Sequence, residues 1–191
     1  MKNIKTRLKP FMAFAITTIF LLSCSKTSNV NPNNSNIPQA NKMLSNVSLS
    51  SVSESEDFEV GSTSPKTAYD VSPTGSSSGD NVTLQGNQWN MYDALIGNLS
   101  TDLKDGSWSA RVRNTGKITM LFDVTTGIST VTVKHGTFGS DAASQWGLWY
   151  STNGGSTWTQ SGTNVTTTST LQTQTFTLNI TGTARIEIRK L

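Results

Sequence analysis

Short runs of period-two alternation, broken by turn residues, constrain this chain more than any other feature. Between residues 116 and 124, Ile118, Met120 and Phe122 fall on one side, with Thr119, Leu121 and Asp123 on the other. Between 130 and 138, Val131 and Val133 oppose Thr132 and Lys134. Trp146, Leu148 and Tyr150 oppose Gly147 and Trp149, and Phe176, Leu178 and Ile180 oppose Thr175, Thr177 and Asn179. The last run sets Ile186 and Ile188 against Arg185, Glu187 and Arg189. Such alternation gives a strand one apolar face, and strands of this kind bury those faces by stacking two antiparallel sheets. Asn114-Thr115-Gly116, Thr126-Gly127, Asn153-Gly154-Gly155 and Thr181-Gly182 supply the turns. Helical periodicity is nearly absent. The expected fold is all-β: an antiparallel β-sandwich of jelly-roll form, occupying residues 57–191, about the size of one ordinary domain.

The segments before residue 57 read differently. Lys2, Lys5, Arg7 and Lys9 precede an apolar run from Phe11 to Leu22, and Ser23-Cys24 follow. Charge, apolar stretch and small residue in that order mark an export signal. The run is shorter than the ~20 residues of a bilayer-spanning helix, and an uncleaved anchor or buried helix is the weaker reading. Leu21-Leu22-Ser23-Cys24 resembles the box that closes a bacterial lipoprotein signal. That resemblance implies cleavage after residue 23, lipid on the Cys24 sulfur and amino group, and a membrane partner through that lipid. Cell-envelope residence, at the outer membrane, follows from it.

Cys24 is the single cysteine, so no disulfide staples the folded part. Removing residues 1–23 also removes four of fifteen Lys and Arg but none of twelve Asp and Glu. The remainder carries a net charge of −1, and no basic excess supports nucleic-acid binding. Residues 24–56 are rich in Ser, Asn and Pro and are expected to form a disordered tether. Met43, Leu44, Val47, Leu49 and Val52 are scattered through it, and a plain linker describes them better than an amphipathic element.

Five segments occur in a fixed order: Asp57-Phe-Glu59, 89–97 from Trp89 to Gly97, 109–114 from Ser109 to Asn114, Gly116-Lys-Ile-Thr-Met120, and 148–155 from Leu148 to Gly155. Together they resemble a β-sandwich module of secreted and lipid-anchored proteins of the Bacteroidetes type. The resemblance implies an accessory role beside extracellular nucleases or other hydrolases. In such modules an Ile-Asp-Asp-Ile-like segment precedes the last strand. Here the chain reaches Arg189-Lys190-Leu191 without it, so either the chain is a fragment or the sheet closes differently. Ser151 to Trp158 also resembles the Asp-box hairpin, with Asn153 in the aspartate's place. One copy cannot make a propeller, so it reads as a local hairpin device.

Catalytic sets are hard to assemble from these residues. His135 is the single histidine and shares a face with Val133, as a packed, hydrogen-bonded imidazole would. No Gly-x-Ser-x-Gly elbow leading from a strand into a helix occurs, and the acids look like turn or strand-end residues. The chain is therefore expected not to be an enzyme. Binding is better served. Glu59 lies where an early acidic residue helps hold structural calcium in carbohydrate-binding jelly rolls, although an ordinary strand-edge charge is the simpler reading. Trp149, Arg111, Arg113, Lys134 and Arg189 all fall opposite the core and could stack and hydrogen-bond a sugar. A solvated face is the alternative. Trp89, Trp108, Trp146 and Trp158 read as structural. The leading expectation is a non-catalytic binding or adhesion domain for a polysaccharide or other surface molecule. The alternatives are an accessory-domain fragment of an extracellular nuclease or hydrolase, and a structural envelope protein.

Overall fold

The computed structural model describes residues 13–22, 53–70 and 78–191. Cys24 and most of the tether lie outside them. The chain forms an antiparallel β-sandwich without helices among the described residues. Its strands are β1 (Ala13–Leu22), β2 (Ser53–Glu56), β3 (Asp80–Leu84), β4 (Asn87–Gly97) and β5 (Ser109–Met120). Then come β6 (Ile128–Thr137), β7 (Gln145–Ser151), β8 (Thr159–Thr166), β9 (Gln172–Ile180) and β10 (Arg185–Lys190).

The sandwich arises because β5 forks. β4 runs along one edge of β5 through both halves, pairing Ile96 with Ala110 and Met91 with Ile118. On the other edge, the first half of β5 pairs with β1 and the second half with β10. Two leaves diverge from that point. One is β1-β6-β9, and the other is β10-β7-β8. Their apolar faces meet: the Trp146 ring stands edge-on to His135 and to Phe176, at 5.0 and 5.6 Å between centroids. β2 fills the gap left beside β1 where β5 departs, pairing Ile19 with Glu56 and Leu22 with Ser53.

The kink that permits the fork sits at 114–116, where the sequence predicts a turn. The chain instead continues as one strand. Asn114 and Asp93 both take left-handed φ (48° and 46°), and the β4–β5 register shifts between Tyr92 and Ala94. Gly116 is required there, since a Cβ would lie 2.7 Å from the Asp93 and Tyr92 carbonyl oxygens. The turn chemistry is thus spent on a bulge, which bends the strand without ending it. At 153–155 a true hairpin turn forms. The Asn153 carboxamide oxygen accepts from the Thr157 N–H at 2.9 Å, and Ser151 Oγ accepts from the Gly155 N–H at 2.9 Å. The local-hairpin reading of this segment describes what is seen.

The core is the alternating apolar set. Ile118, Met120, Val131, Val133, Trp146, Leu148, Ile186 and Ile188 are buried. His135 joins them as a packed imidazole, and among the described residues its Nδ1 has no hydrogen-bond partner. One strand, β1, comes from the N-terminal segment. The apolar run read as the core of an export signal is a strand in the middle of a leaf, and no described helix is long and apolar enough to cross a membrane. Ile16, Ile19 and Leu21 are all but fully buried. At about 1.5–3 kcal/mol each, they contribute about 5–9 kcal/mol, comparable with the net stability of a whole domain. Two described strands, β1 and β2, therefore precede residue 57. Ser53–Glu56, assigned to the tether from composition, form β2 because their backbone completes the edge of β1.

Candidate functional site

The outward faces of the two leaves treat the predicted binding residues in opposite ways. On the β5–β6 side, all three cations are spent on carboxylates. Arg111 donates from Nε and Nη2 to Asp102 at 2.9 and 2.7 Å, and its guanidinium lies 3.8 Å from the Phe138 ring centroid. Arg113 donates to Asp93 at 2.7 Å and lies over Tyr69 at 4.2 Å. Lys134 pairs with Asp105. Alternation correctly places these side chains away from the core. Segments outside the alternating runs, carrying Tyr69, Asp102 and Asp105, then cover them together with Phe138 at the end of the β6 run. The Arg111 and Asp102 side chains are 10% and 0% exposed, so Arg111 is a structural cation, not part of an open ligand face.

Glu59 is likewise engaged. Its Oε1 accepts from the Ser107 N–H at 2.7 Å and the Trp108 N–H at 2.9 Å, tying the start of the domain to the approach of β5. Gly106 makes room for that carboxylate, since a Cβ there would come within 2.3 Å of Oε1. Among the described residues no group of three His, Cys, Asp or Glu could hold a metal ion.

The β10–β7 side is different. Trp149 and Arg189 come together as expected, with the guanidinium 4.5 Å from the indole centroid. The Trp149 ring lies across Gly147, whose added Cβ would stand 2.8 Å from Cζ3. Glycine is needed at 147 so that the ring can lie down on the sheet. Opposite Trp149 in the register is Glu187, whose side chain is 2% exposed. Its carboxylate accepts from Thr119 Oγ1 at 2.5 Å, from Arg189 Nε, and faces Lys117 Nζ at 3.4 Å. One buried carboxylate thus organises two cations whose side chains remain 30% and 39% exposed. Charge-assisted hydrogen bonds of this kind fix the heads of otherwise flexible side chains.

From this cluster an open groove of about 340 Å³ runs to the β7–β8 hairpin. It is lined by Asn90, Lys117, Thr119, Trp158, Arg185 and Glu187 among others. Trp158 is half-buried, and the Asn153 hairpin positions it at the rim. Arg185 donates to Asp123 at 2.6 Å on the same side. Two of these lining residues could have been found in the sequence. Lys117 alternates with the core residue Ile118, and Trp158 closes the Asp-box-like segment. Their convergence could not, because it depends on β10 lying between β5 and β7. The groove offers an aromatic edge, fixed cations and amide groups, which suit an anionic, hydroxyl-rich ligand.

Comparison with protein-family models, with curated proteins and with solved structures finds no match.

Proposed function

We propose that this chain is a lipid-anchored cell-envelope protein whose sandwich binds an acidic carbohydrate without catalysing its breakdown. The reading that Cys24 carries lipid at the outer membrane rests on the signal-like order of residues 2–24. The binding reading rests on one observation above all. Lys117 and the buried Glu187 line a groove that Trp158 flanks, and the same carboxylate holds Arg189 against Trp149 beside it. Cations oriented before a ligand arrives lose less freedom on binding, and an aromatic rim gives apolar sugar faces a surface to cover. Uronate or sulfate groups would sit against the cations, and ring hydroxyls would reach Asn90 and Thr119.

Gel-shift electrophoresis through immobilised acidic and neutral polysaccharides tests this. The parent domain is expected to be retarded by the acidic set, and Lys117→Ala and Trp158→Ala to migrate as in a blank gel. No retardation on any polysaccharide, or unchanged retardation of both variants, refutes it.

A further inference from the structure

The strand at the centre of one leaf, β1, belongs to the segment that export would remove. It pairs with β6 from Phe14↔Thr137 to Leu22↔Thr130, and on its other edge with β5 and β2. Cleavage before Cys24 would delete the whole strand. β6 and β9 would lose their hydrogen-bonded connection to β5, and two rows of backbone groups would face an empty slot. Unpaired buried backbone groups are costly enough that such a slot must be filled.

A candidate filler lies in the same chain. β1 buries Ile16, Ile19 and Leu21, the pattern apolar-x-x-apolar-x-apolar. Residues 44–49 read Leu44-Ser-Asn-Val47-Ser-Leu49, the same pattern displaced by 28 positions. The intervening polar pair Thr17-Thr18 is matched by Ser45-Asn46. The placement also agrees with the connection to β2. Leu21 pairs with Glu54 and Ile19 with Glu56. With Leu49 and Val47 in those places, Ser50 meets Ser53, and Ser51-Val52 remain as a two-residue hairpin link. On the other edge Leu49 would oppose Val131, Val47 would oppose Val133 and Leu44 would oppose His135, the partners of Leu21, Ile19 and Ile16. A shift of one residue would turn every apolar side chain outward, so this register is the one the core accepts.

We infer that residues 41–50 replace β1 in the processed protein, so that the export segment holds the slot before cleavage and the chain's own tether fills it afterwards. This rests on the proposed processing at Cys24. It also shortens the free tether to about residues 24–40, which brings the sandwich closer to the membrane.

The test uses the full-length gene expressed in a bacterium that processes lipoproteins, with palmitate labelling to report lipidation. Antiparallel partners have Cα atoms within disulfide reach. Ser48→Cys with Thr132→Cys is expected to give an intramolecular disulfide in the labelled protein. Adding Cys24→Ala keeps residues 1–23 attached. There Phe20→Cys with Thr132→Cys should bridge, and Ser48→Cys with Thr132→Cys should stay reduced. A labelled protein in which Ser48→Cys and Thr132→Cys stay reduced overturns the exchange alone. So does a disulfide-linked dimer, which would mean that a second copy fills the slot. Bridging of the Ser48/Thr132 pair in the Cys24→Ala chain also overturns it. A chain without palmitate overturns the anchor reading itself. As a second measurement, Val47→Asp is expected to cost the lipidated protein its protease resistance and leave the Cys24→Ala protein resistant. Equal resistance in both overturns the proposal.

Discussion

Replacing Arg111 by methionine isolates a deeply buried ion pair. Asp102 is fully enclosed and holds three donors: Arg111 Nε, Arg111 Nη2 and the Leu99 N–H at 2.9 Å. Arg111→Met removes two of the three and leaves a charge with one partner in a site without water access. Breaking a buried pair from one side costs about 3–5 kcal/mol. For a domain of this size that is a fall of about 10–20 °C in melting temperature. The lost contact with Phe138 acts in the same direction. Arg113→Met is the internal comparison. Its side chain is 25% exposed and Asp93 keeps a bond from Asn114 at 2.7 Å, so water can take over part of the loss, and the cost should be about 1 kcal/mol. The double variant Arg111→Met/Asp102→Leu removes both charges and should recover most of the lost stability, because the desolvation cost disappears with the pair. Urea unfolding followed by tryptophan fluorescence gives the midpoints, and an unchanged m-value confirms that stability alone has moved. The reasoning is refuted if Arg111→Met melts within about 2 °C of the parent, or if the double variant is no more stable than the single one.

Two buried groups should shape the pH profile in opposite directions. Burial pushes the His135 imidazole down to about 4, so its stability is complete above its unfolded value of 6.5 and is lost as pH falls from 6.5 through 4. Burial, opposed by the bond from the Phe58 N–H and reinforced by Asp57, raises Glu56 from 4.5 to about 7; its stability is complete below 4.5 and lost as pH rises through 7. Each is worth up to about 3 kcal/mol, so thermal melts across this range should show Glu56→Gln flattening the upper limb and His135→Gln the lower. Gly147→Ala should drive Trp149 off the sheet and weaken retardation in the polysaccharide gels, with only a modest shift in melting temperature. Asn153→Ala should cost about 1 kcal/mol through lost turn hydrogen bonds and also weaken binding by releasing Trp158; intact binding would show that the hairpin does not position the rim.

Particular residues show what a linear reading can and cannot find. Ile118, Met120, Trp146, Leu148, Ile186 and Ile188 were legible as core because a strand's period of two is local. Trp149 and Arg189 were legible as outward-facing for the same reason, and they do meet. The same logic turns Arg111 outward, yet it is buried, because the segment carrying Asp102 folds over a face that alternation marks only as non-core. Asn114-Thr115-Gly116 has turn composition, yet only its position opposite Asp93 decides between a turn and a bulge.

By itself the sequence determined the class: apolar faces at period two, turn residues between them, and an N-terminal segment built like an export signal. Tertiary structure alone decided which strands became neighbours. That choice put β10 between β5 and β7, gathered Lys117, Glu187 and Arg189 into one cluster, and drew the apolar run 13–22 into the sheet as β1. The physical reason is that hydrophobic burial is indifferent to chain position. An apolar, alternating segment satisfies any slot whose register and length it fits, and only the assembled core shows which slot that is.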